Sequence, residues 1–231
     1  MFNGKMKAIT FSYDDCTTQD VRLVNLLNKY GMKATFNVNS GLLGKANSLW
    51  RDEKTIAHCK LSAKEIVDVY EGHEVAGHTL THPFLPSITD DNEITRQVEE
   101  DRLALSEIMG YEVVGFAYAG GGKNYSEHIA DVIKNTTGVK YCRTIECNNS
   151  FDIQDDLYTF KPTAFHIDFP RLNRLANDFI NLKTDTPQIF YIWGHSFEFD
   201  INDTWDEFEE FLKRIAFKED IFYGTNKEVL L

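Results

Sequence analysis

The sequence predicts an α/β protein with a distorted parallel (β/α) barrel of about seven strands, formed as one domain over residues 1–231. Two observations support this prediction. Short apolar runs alternate with amphipathic segments, which is typical of successive βα units with short connections. Polar residues follow the ends of the apolar runs. In a parallel barrel these ends converge on one mouth, whereas an open doubly wound sheet spreads them along a crevice.

The strands are predicted from apolar runs that are short and rich in β-branched and aromatic residues. These runs lie at 7–13, 32–38, 74–77, 113–118, 139–143 and 188–193. Two shorter runs, at 157–160 and 221–223, are further strand candidates. The first run predicts a buried strand, and the run at 188–193 is a strong strand candidate.

The helices are predicted from apolar positions at roughly helical spacing between these runs. The segments are 19–30, 63–71, 90–109, 125–136, 171–182 and 202–217. Thr17 or Thr18 is placed to cap the first helix and Ser62 the second, because a side-chain oxygen there accepts from free backbone N–H groups. Gly110 is a predicted stop. Residues 39–60 are polar and have no clear period, so we predict a long loop.

The charge and composition narrow the possible partners. At a net charge of −12 the chain would repel phosphates, so we expect no nucleic-acid partner and a neutral or cationic substrate. No stretch approaches the 18 or so apolar residues of a membrane span. No signal peptide is recognisable, which predicts a cytoplasmic protein, or a secreted one if a leader has been removed. The oligomeric state stays open.

Two motifs carry the clearest chemistry. Asp14 and Asp15 close the first apolar run. His78 and His82 lie four residues apart, just after the run at 74–77. One carboxylate with two imidazoles is a common ligand set for a catalytic divalent ion that keeps an open position. Consecutive residues at a strand end point in different directions, so one aspartate can bind the ion while the other faces the substrate.

Further candidates follow other strand ends. His195 comes after the run at 188–193, where a shielded imidazole would titrate near neutrality and exchange protons, or be a structural histidine. Gly120 opens a three-glycine turn that either brings backbone N–H groups close to a substrate oxygen or is a simple turn. His166 lies in an aromatic stretch and could line the mouth. His58, in the long loop, has a weaker claim.

Together these residues resemble the polysaccharide deacetylase family, carbohydrate esterase family 4. The first family motif, usually Thr-Phe-Asp-Asp-Gly, corresponds to residues 11–16. The second, His-Ser/Thr-x-x-His, is matched at 78–82, and a late strand that ends in a histidine is matched at 193–195. The three motifs span nearly the whole chain in the order of the family.

The resemblance implies a barrel fold and a metal-dependent deacetylase. Such an enzyme would hydrolyse N-acetyl or O-acetyl groups of a carbohydrate through a metal-activated water. Asp15, His78 and His82 would bind a divalent ion, commonly zinc. Asp14 would be the general base, and His195 would protonate the leaving amine or alcohol.

The third family motif, typically Arg-x-Pro-Tyr, is altered in this chain. The corresponding stretch, 116–121, contains no arginine. Arg143, at the end of the next predicted strand, could orient the base aspartate in its place. Tyr118 and Gly120 belong to this stretch and are candidates for substrate contact or orientation.

Two other motifs also differ from the family pattern. Cys16 stands where the family has glycine, and the fourth motif, an Asp followed by a Trp, is not recognisable. His166 and Asp168 are possible stand-ins for it. These changes leave the metal ligands intact but open two alternatives. One is a related amidohydrolase that acts on a small non-glycan amide, and the other is a catalytically impaired, glycan-binding homologue.

Overall fold

In the computed structural model, which describes residues 1–231, a curled sheet is surrounded by helices. The strands are β1 (Lys7–Asp14), β2 (Ala34–Val38), β3 (Ser48–Arg51), β4 (Lys54–Ala57), β5 (Glu74–Gly77), β6 (Gly115–Ala117), β7 (Tyr141–Arg143), β8 (Ala164–Phe165), β9 (Gln188–Gly194) and β10 (Ile221–Tyr223). The helices are α1 (Asp20–Lys29), α2 (Ala63–Val69), α3 (Asp91–Met109), α4 (Glu127–Thr136), α5 (Phe169–Asn181), α6 (Phe197–Asn202), α7 (Trp205–Ile215) and α8 (Asn226–Leu230). None of the helices has the length and apolar character needed to span a membrane.

The strand order explains how the barrel forms. The main sheet follows the order β7-β6-β5-β2-β1-β9-β8 in parallel pairs, and β10 pairs with the start of β1. The segment 157–165 hydrogen-bonds to β7 through Phe160 and to β9 through Thr163, so it joins the two ends of the curled sheet. The predicted distorted (β/α) barrel of about seven strands is therefore confirmed.

The residues of β1 show how the barrel wall separates two environments. Ile9, Phe11 and Tyr13 belong to the apolar core between the sheet and the helices. Thr10 and Ser12 are equally buried but face the barrel interior, because successive side chains of a strand point to opposite sides. Their hydroxyls bond to other polar side chains. The barrel interior is thus a buried polar network.

The predicted helix ends are only partly correct. Ser62 caps α2 in a reciprocal capping box, as expected. The long helix α3 ends at Gly110, whose φ of 73° is the left-handed conformation that glycine adopts easily. Neither Thr17 nor Thr18 caps α1. The Thr17 hydroxyl bonds instead to Ser196, because the tertiary contact competes with the cap.

The prediction of a continuous loop over 39–60 is wrong. This segment contains the antiparallel hairpin β3–β4. Its two-residue turn, Asp52 and Glu53, has left-handed φ angles of 50° and 62°, as a type I′ turn requires. The hairpin escaped prediction because it lacks the Asn-Gly or Asp-Gly pair that signals such turns. The strand predicted at 157–160 is reduced to one isolated bridge, at Phe160.

Asn226 ties the last helix to the amino end of the barrel. Its side-chain oxygen accepts from the Tyr191 hydroxyl at 2.7 Å. Its side-chain amide donates to the Thr10 hydroxyl and its backbone N–H to the Thr35 hydroxyl, both at 2.8 Å. One fully buried residue therefore connects α8 with β1, β2 and β9.

Replacing Asn226 with alanine should lower the free energy of unfolding by about 2–4 kcal/mol, because buried hydroxyls of Tyr191 and Thr10 lose their partner. Asn25→Ala, on the exposed face of α1, is the matched control and should change it by less than about 0.5 kcal/mol. Urea unfolding followed by circular dichroism measures both variants. Equal effects of the two substitutions would contradict the assigned role of Asn226.

Candidate active site

Polar side chains lie at the carboxyl ends of the barrel strands, most of them around one mouth. The residues at or directly after these ends are Asp14, His78, Tyr118, Arg143, His166 and His195. A pocket of about 250 Å³ opens there. A larger cavity of about 440 Å³ lies between the two chain ends, but it is mainly apolar and Glu228 is its only charged side chain. The barrel mouth therefore holds the residues capable of chemistry.

Three potential metal ligands converge in the pocket. Asp15, His78 and His82 each offer a ligand atom, and these atoms lie within 4.8 Å of one another. His78 Nδ1 is 2.8 Å from the carbonyl oxygen of Ala117. A carbonyl only accepts, so Nδ1 carries the proton and Nε2 keeps its lone pair. Burial lowers the pKa of His78 to about 4, which keeps the ring neutral as a metal ligand must be.

The histidine pair does not reach this arrangement through a helix. The segment after β5 has no regular structure, and Thr79 and His82 have left-handed φ angles of 70° and 61°. The ring centroids of His78 and His82 are nevertheless 5.1 Å apart. The shared helical face that an i, i+4 spacing suggests is therefore absent, and a strained loop brings the two rings together.

Asp15 has two neighbours that the motifs did not indicate. Lys60 Nζ lies 3.1 Å from one carboxylate oxygen and His58 Nε2 lies 3.5 Å from the other. Burial disfavours ionisation of Asp15, but these neighbours outweigh it and hold its pKa well below the usual range. They belong to the loop after the hairpin, which returns to the site by pairing Lys60 with Thr17. An ionised carboxylate beside two imidazole side chains fits a divalent cation.

Asp14 is held by a buried ion pair inside the barrel. An Arg143 nitrogen lies 2.6 Å from Asp14 Oδ2, and Asn37 donates to Oδ1 at 2.7 Å. Arg143 also donates to the Ser12 hydroxyl, and its guanidinium stacks over the Trp193 ring at 4.8 Å. Burial would raise the pKa of Asp14, but the charge of Arg143 offsets it and the pKa is lowered. Asp14 is thus an oriented, ionised carboxylate.

His195 stands between two carboxylates. Its Nδ1 lies 3.1 Å from Glu198 Oε2, and its Nε2 lies 3.9 Å from Asp14 Oδ2. Burial by itself lowers the pKa of His195, but the hydrogen bond and charge of Glu198 outweigh it and raise the pKa to about 9. Glu198 was not among the sequence candidates. An acid three residues after the histidine was the available signal, because such a pair meets within one helical turn.

The other sequence candidates take different positions. Tyr118 and Gly120 line the pocket, although the Tyr118 hydroxyl is committed to a backbone carbonyl at 2.9 Å. His166 does not line the mouth: it is fully buried, and its Nε2 bonds to Glu198 at 2.9 Å. Its ring lies where a Cβ on Gly194 would be, so this strand end must be glycine. Asp168 is the N-cap of α5.

Comparison with known proteins identifies the family. The sequence profile described as polysaccharide deacetylase matches residues 3–141. The chain belongs to the polysaccharide deacetylase family. The match contains the aspartate pair and the histidine pair, whereas Arg143 and His195 lie beyond it. A comparison with curated protein sequences gives no match.

Solved structures of this family share the fold. The Streptococcus pyogenes deacetylase PplD is 20% identical with a TM-score of 0.54, over 65% of this chain and 61% of that one. The Bacillus anthracis protein BA3943 is 18% identical with a TM-score of 0.54, over 97% and 66%. The Bacillus cereus polysaccharide deacetylase Bc1974 is 17% identical with a TM-score of 0.53, over 96% and 91%. The chain therefore spans less than two thirds of the first two proteins and most of the third.

The similarity of fold does not decide activity. BA3943 is described as a CE4 family pseudoenzyme, whereas PplD is described as a deacetylase in complex with acetate. The same barrel thus occurs with and without catalysis. Activity has to be argued from the side chains of this chain.

Arg143→Met should lower the free energy of unfolding by about 3–5 kcal/mol near pH 7, because the Asp14 carboxylate stays buried without its partner. The pair depresses the folded pKa of Asp14 below its unfolded value of about 3.9. Its stabilisation is therefore present above that pH and lost as the pH falls through the folded pKa. In Arg143→Met burial is no longer offset by the guanidinium, so it raises the pKa of Asp14 above the unfolded value. The buried carboxylate of the variant is then neutralised as the pH falls, so urea unfolding with chelator between about pH 8 and pH 4 should show the difference from wild type shrinking with acid.

The matched control is the same substitution in an Asp14→Asn background. There residue 14 carries a neutral amide instead of a carboxylate, so removal of Arg143 should cost clearly less free energy than in wild type. An undiminished cost in that background would contradict the pairing of Arg143 with Asp14.

Proposed function

We propose that this chain is a metal-dependent deacetylase that hydrolyses an N-acetyl or O-acetyl group of a carbohydrate. The observation that carries the proposal is the arrangement around one pocket. The donor atoms of Asp15, His78 and His82 converge, while Asp14 and His195 lie 3.9 Å apart next to them. Such a set separates metal binding from proton transfer, as metal-assisted hydrolysis requires.

Asp15, His78 and His82 would hold the metal. Two imidazoles and one carboxylate suit zinc and leave a coordination position open. A divalent ion there acidifies water and polarises an acetyl carbonyl when it is bound. The hydrogen bond between His78 and Ala117 supports this assignment, because it fixes the ring with Nε2 free.

Asp14 would act as the general base. Arg143 and Asn37 hold its carboxylate in one orientation and keep it ionised, so it accepts a proton from the attacking water. The same pair would supply what the missing arginine of the third motif supplies elsewhere in the family. The low pKa of Asp14 makes it a weak base, so its orientation matters more than its basicity.

His195 would act as the general acid. Its Nε2 points towards Asp14 and its Nδ1 towards Glu198, so a proton on Nε2 is available to the leaving nitrogen or oxygen. Glu198 would stabilise the protonated ring of His195, and His166 would orient Glu198 through the hydrogen bond between them. His166 is in this sense an orienting residue and not a substrate contact.

The volume of the pocket indicates how much of a substrate it can hold. At about 250 Å³ it lies just below the roughly 300–1,000 Å³ of pockets that bury a drug-sized ligand. The pocket therefore has room for about one acetylated sugar unit.

The test is acetate release from chitooligosaccharides, acetylated xylan and small non-glycan amides, each with and without chelator. We expect release from at least one carbohydrate that chelator abolishes and divalent metal restores. Release from the small amides alone would favour the amidohydrolase alternative. Glycan binding without release, in metal-loaded protein, would overturn the proposal in favour of an inactive homologue.

Substitutions separate the metal site from the base. His82→Ala should lower the metal content, because one of three ligands is lost, whereas His128→Ala on the exposed face of α4 should not. Asp14→Asn should keep its metal but reduce kcat by about 10²-fold or more. Elemental analysis and acetate release measure the two effects. An Asp14→Asn protein with a near-normal rate would refute the assigned base.

Glu198→Gln should move the basic limb of the pH profile of kcat/KM towards lower pH. Glu198 raises the pKa of His195 to about 9, and a general acid is active only below its pKa. The neutral amide removes that stabilisation while keeping the side-chain volume. A profile measured over the basic range that does not move would exclude this role for Glu198.

A further inference from the structure

The hairpin β3–β4 contributes one side chain to the candidate active-site pocket. Arg51, the last residue of β3, lines the pocket together with the potential metal ligands. It lies opposite Lys54 in the hairpin, and Leu49 lies opposite Ile56. Paired residues and residues two apart share one face of a hairpin. Leu49 and Ile56 are half-buried, so this face is turned towards the protein.

The second strand of the hairpin, β4, is fixed to the rest of the protein by hydrogen bonds and an ion pair. Lys54 Nζ donates to the carbonyl oxygen of Ile201 at 3.0 Å and pairs with Asp203 at 2.9 Å. The Gln19 amide donates to the carbonyl oxygen of Ala57 at 2.8 Å. The cation next to Arg51 is thus used to anchor β4 to α6. Arg51 is held near the pocket without taking part in that anchoring.

Arg51 is the cation that the site leaves unpaired. Its guanidinium is exposed and forms neither an ion pair nor a side-chain hydrogen bond. The pocket carboxylates, by contrast, all have partners: Asp14 pairs with Arg143, Asp15 with Lys60, and Glu198 with His195. The pocket therefore differs in charge from the chain as a whole, whose net charge is −12.

The chemistry of a free guanidinium indicates its ligand. Its planar fork of N–H donors matches carboxylate and phosphate groups and can bind either through two parallel hydrogen bonds. A divalent ion in the pocket would add further positive charge and favour an anion there. The hairpin neighbour Trp50 is 73% exposed and does not line the pocket, so Arg51 is the contact that the hairpin offers.

We propose that Arg51 binds an anionic substituent, a carboxylate or a phosphate, on the acetylated substrate. This inference rests on the proposed deacetylase function and narrows it to acidic sugars. It revises the expectation of a neutral or cationic substrate, because that expectation used the charge of the whole chain. Around the pocket the carboxylates are paired with cations, so the local charge differs from the net charge of the chain.

The experiment compares pairs of probes that differ in the charge of one substituent. N-acetylmuramic acid is paired with its methyl ester, and N-acetylglucosamine 6-phosphate with N-acetylglucosamine. Wild-type protein should bind and deacetylate an anionic probe better than its neutral counterpart. In Arg51→Gln the Kd and KM for that probe should rise on the order of 10- to 100-fold, the loss expected of a charged hydrogen bond, with kcat little changed.

Four controls make the result specific. Arg174→Gln removes another exposed, unpaired arginine, on α5, and should leave all constants unchanged. Arg51→Lys keeps the charge but not the fork, so it should retain part of the preference. Values of Kd and KM for the neutral probes should be the same in wild type and Arg51→Gln. Circular dichroism checks that every variant is folded.

The outcomes distinguish this inference from the proposed function. Binding is measured by calorimetry in an Asp14→Asn background, so it does not need turnover. A preference for the anionic probes that depends on Arg51 supports the inference, even where no acetate is released. The absence of acetate release would contradict only the proposed deacetylase function. Equal affinity for charged and neutral probes, or equal losses in Arg51→Gln and Arg174→Gln, would overturn the role of Arg51.

Discussion

A guanidinium and a carboxylate buried inside the barrel constrain the rest of this structure. Arg143 and Asp14 are each about 1% exposed or less, so neither can be solvated by water. Such a pair is tolerated only when the remaining donors and acceptors are also satisfied. Ser12 and Asn37 do this from β1 and β2, and the Trp193 ring covers the guanidinium. The polar lining of these strands is the condition for the pair to exist.

A second constraint is the left-handed backbone conformation of the loops that follow β1 and β5. Asp15 and Cys16 have φ angles of 81° and 52°, and Thr79 and His82 are left-handed as well. Left-handed backbone at residues other than glycine costs of the order of 1 kcal/mol or more each, and it persists where surrounding contacts determine it. Here it is found at or beside all three potential metal ligands. The strain turns their side chains towards one point, at the expense of stability.

The position of the arginine shows what the barrel architecture permits. The family motif on the strand before it lacks the residue, and Arg143 reaches Asp14 from the end of β7. Neighbouring strand ends of a barrel open on the same interior, so a long side chain from either strand can meet the same carboxylate. The same reasoning applies to Glu198, which follows β9 on a short helix and holds His195. A missing motif residue is therefore not by itself evidence of lost function in this fold.

Local patterns in the sequence were sufficient for most strands of the main sheet, for the long helices and for the two motifs with potential ligands, because hydrophobic period and motif spacing are properties of neighbouring residues. The alternation that places Ser12 inside the barrel and Tyr13 outside it is likewise a local property. The positions of Lys60, Glu198 and Arg51 at the pocket could not be predicted in this way. They depend on an unsignalled hairpin and on loops whose course is set by packing far along the chain. The pairing of Arg143 with Asp14 joins residues 129 positions apart, and the closure of the barrel brings them together.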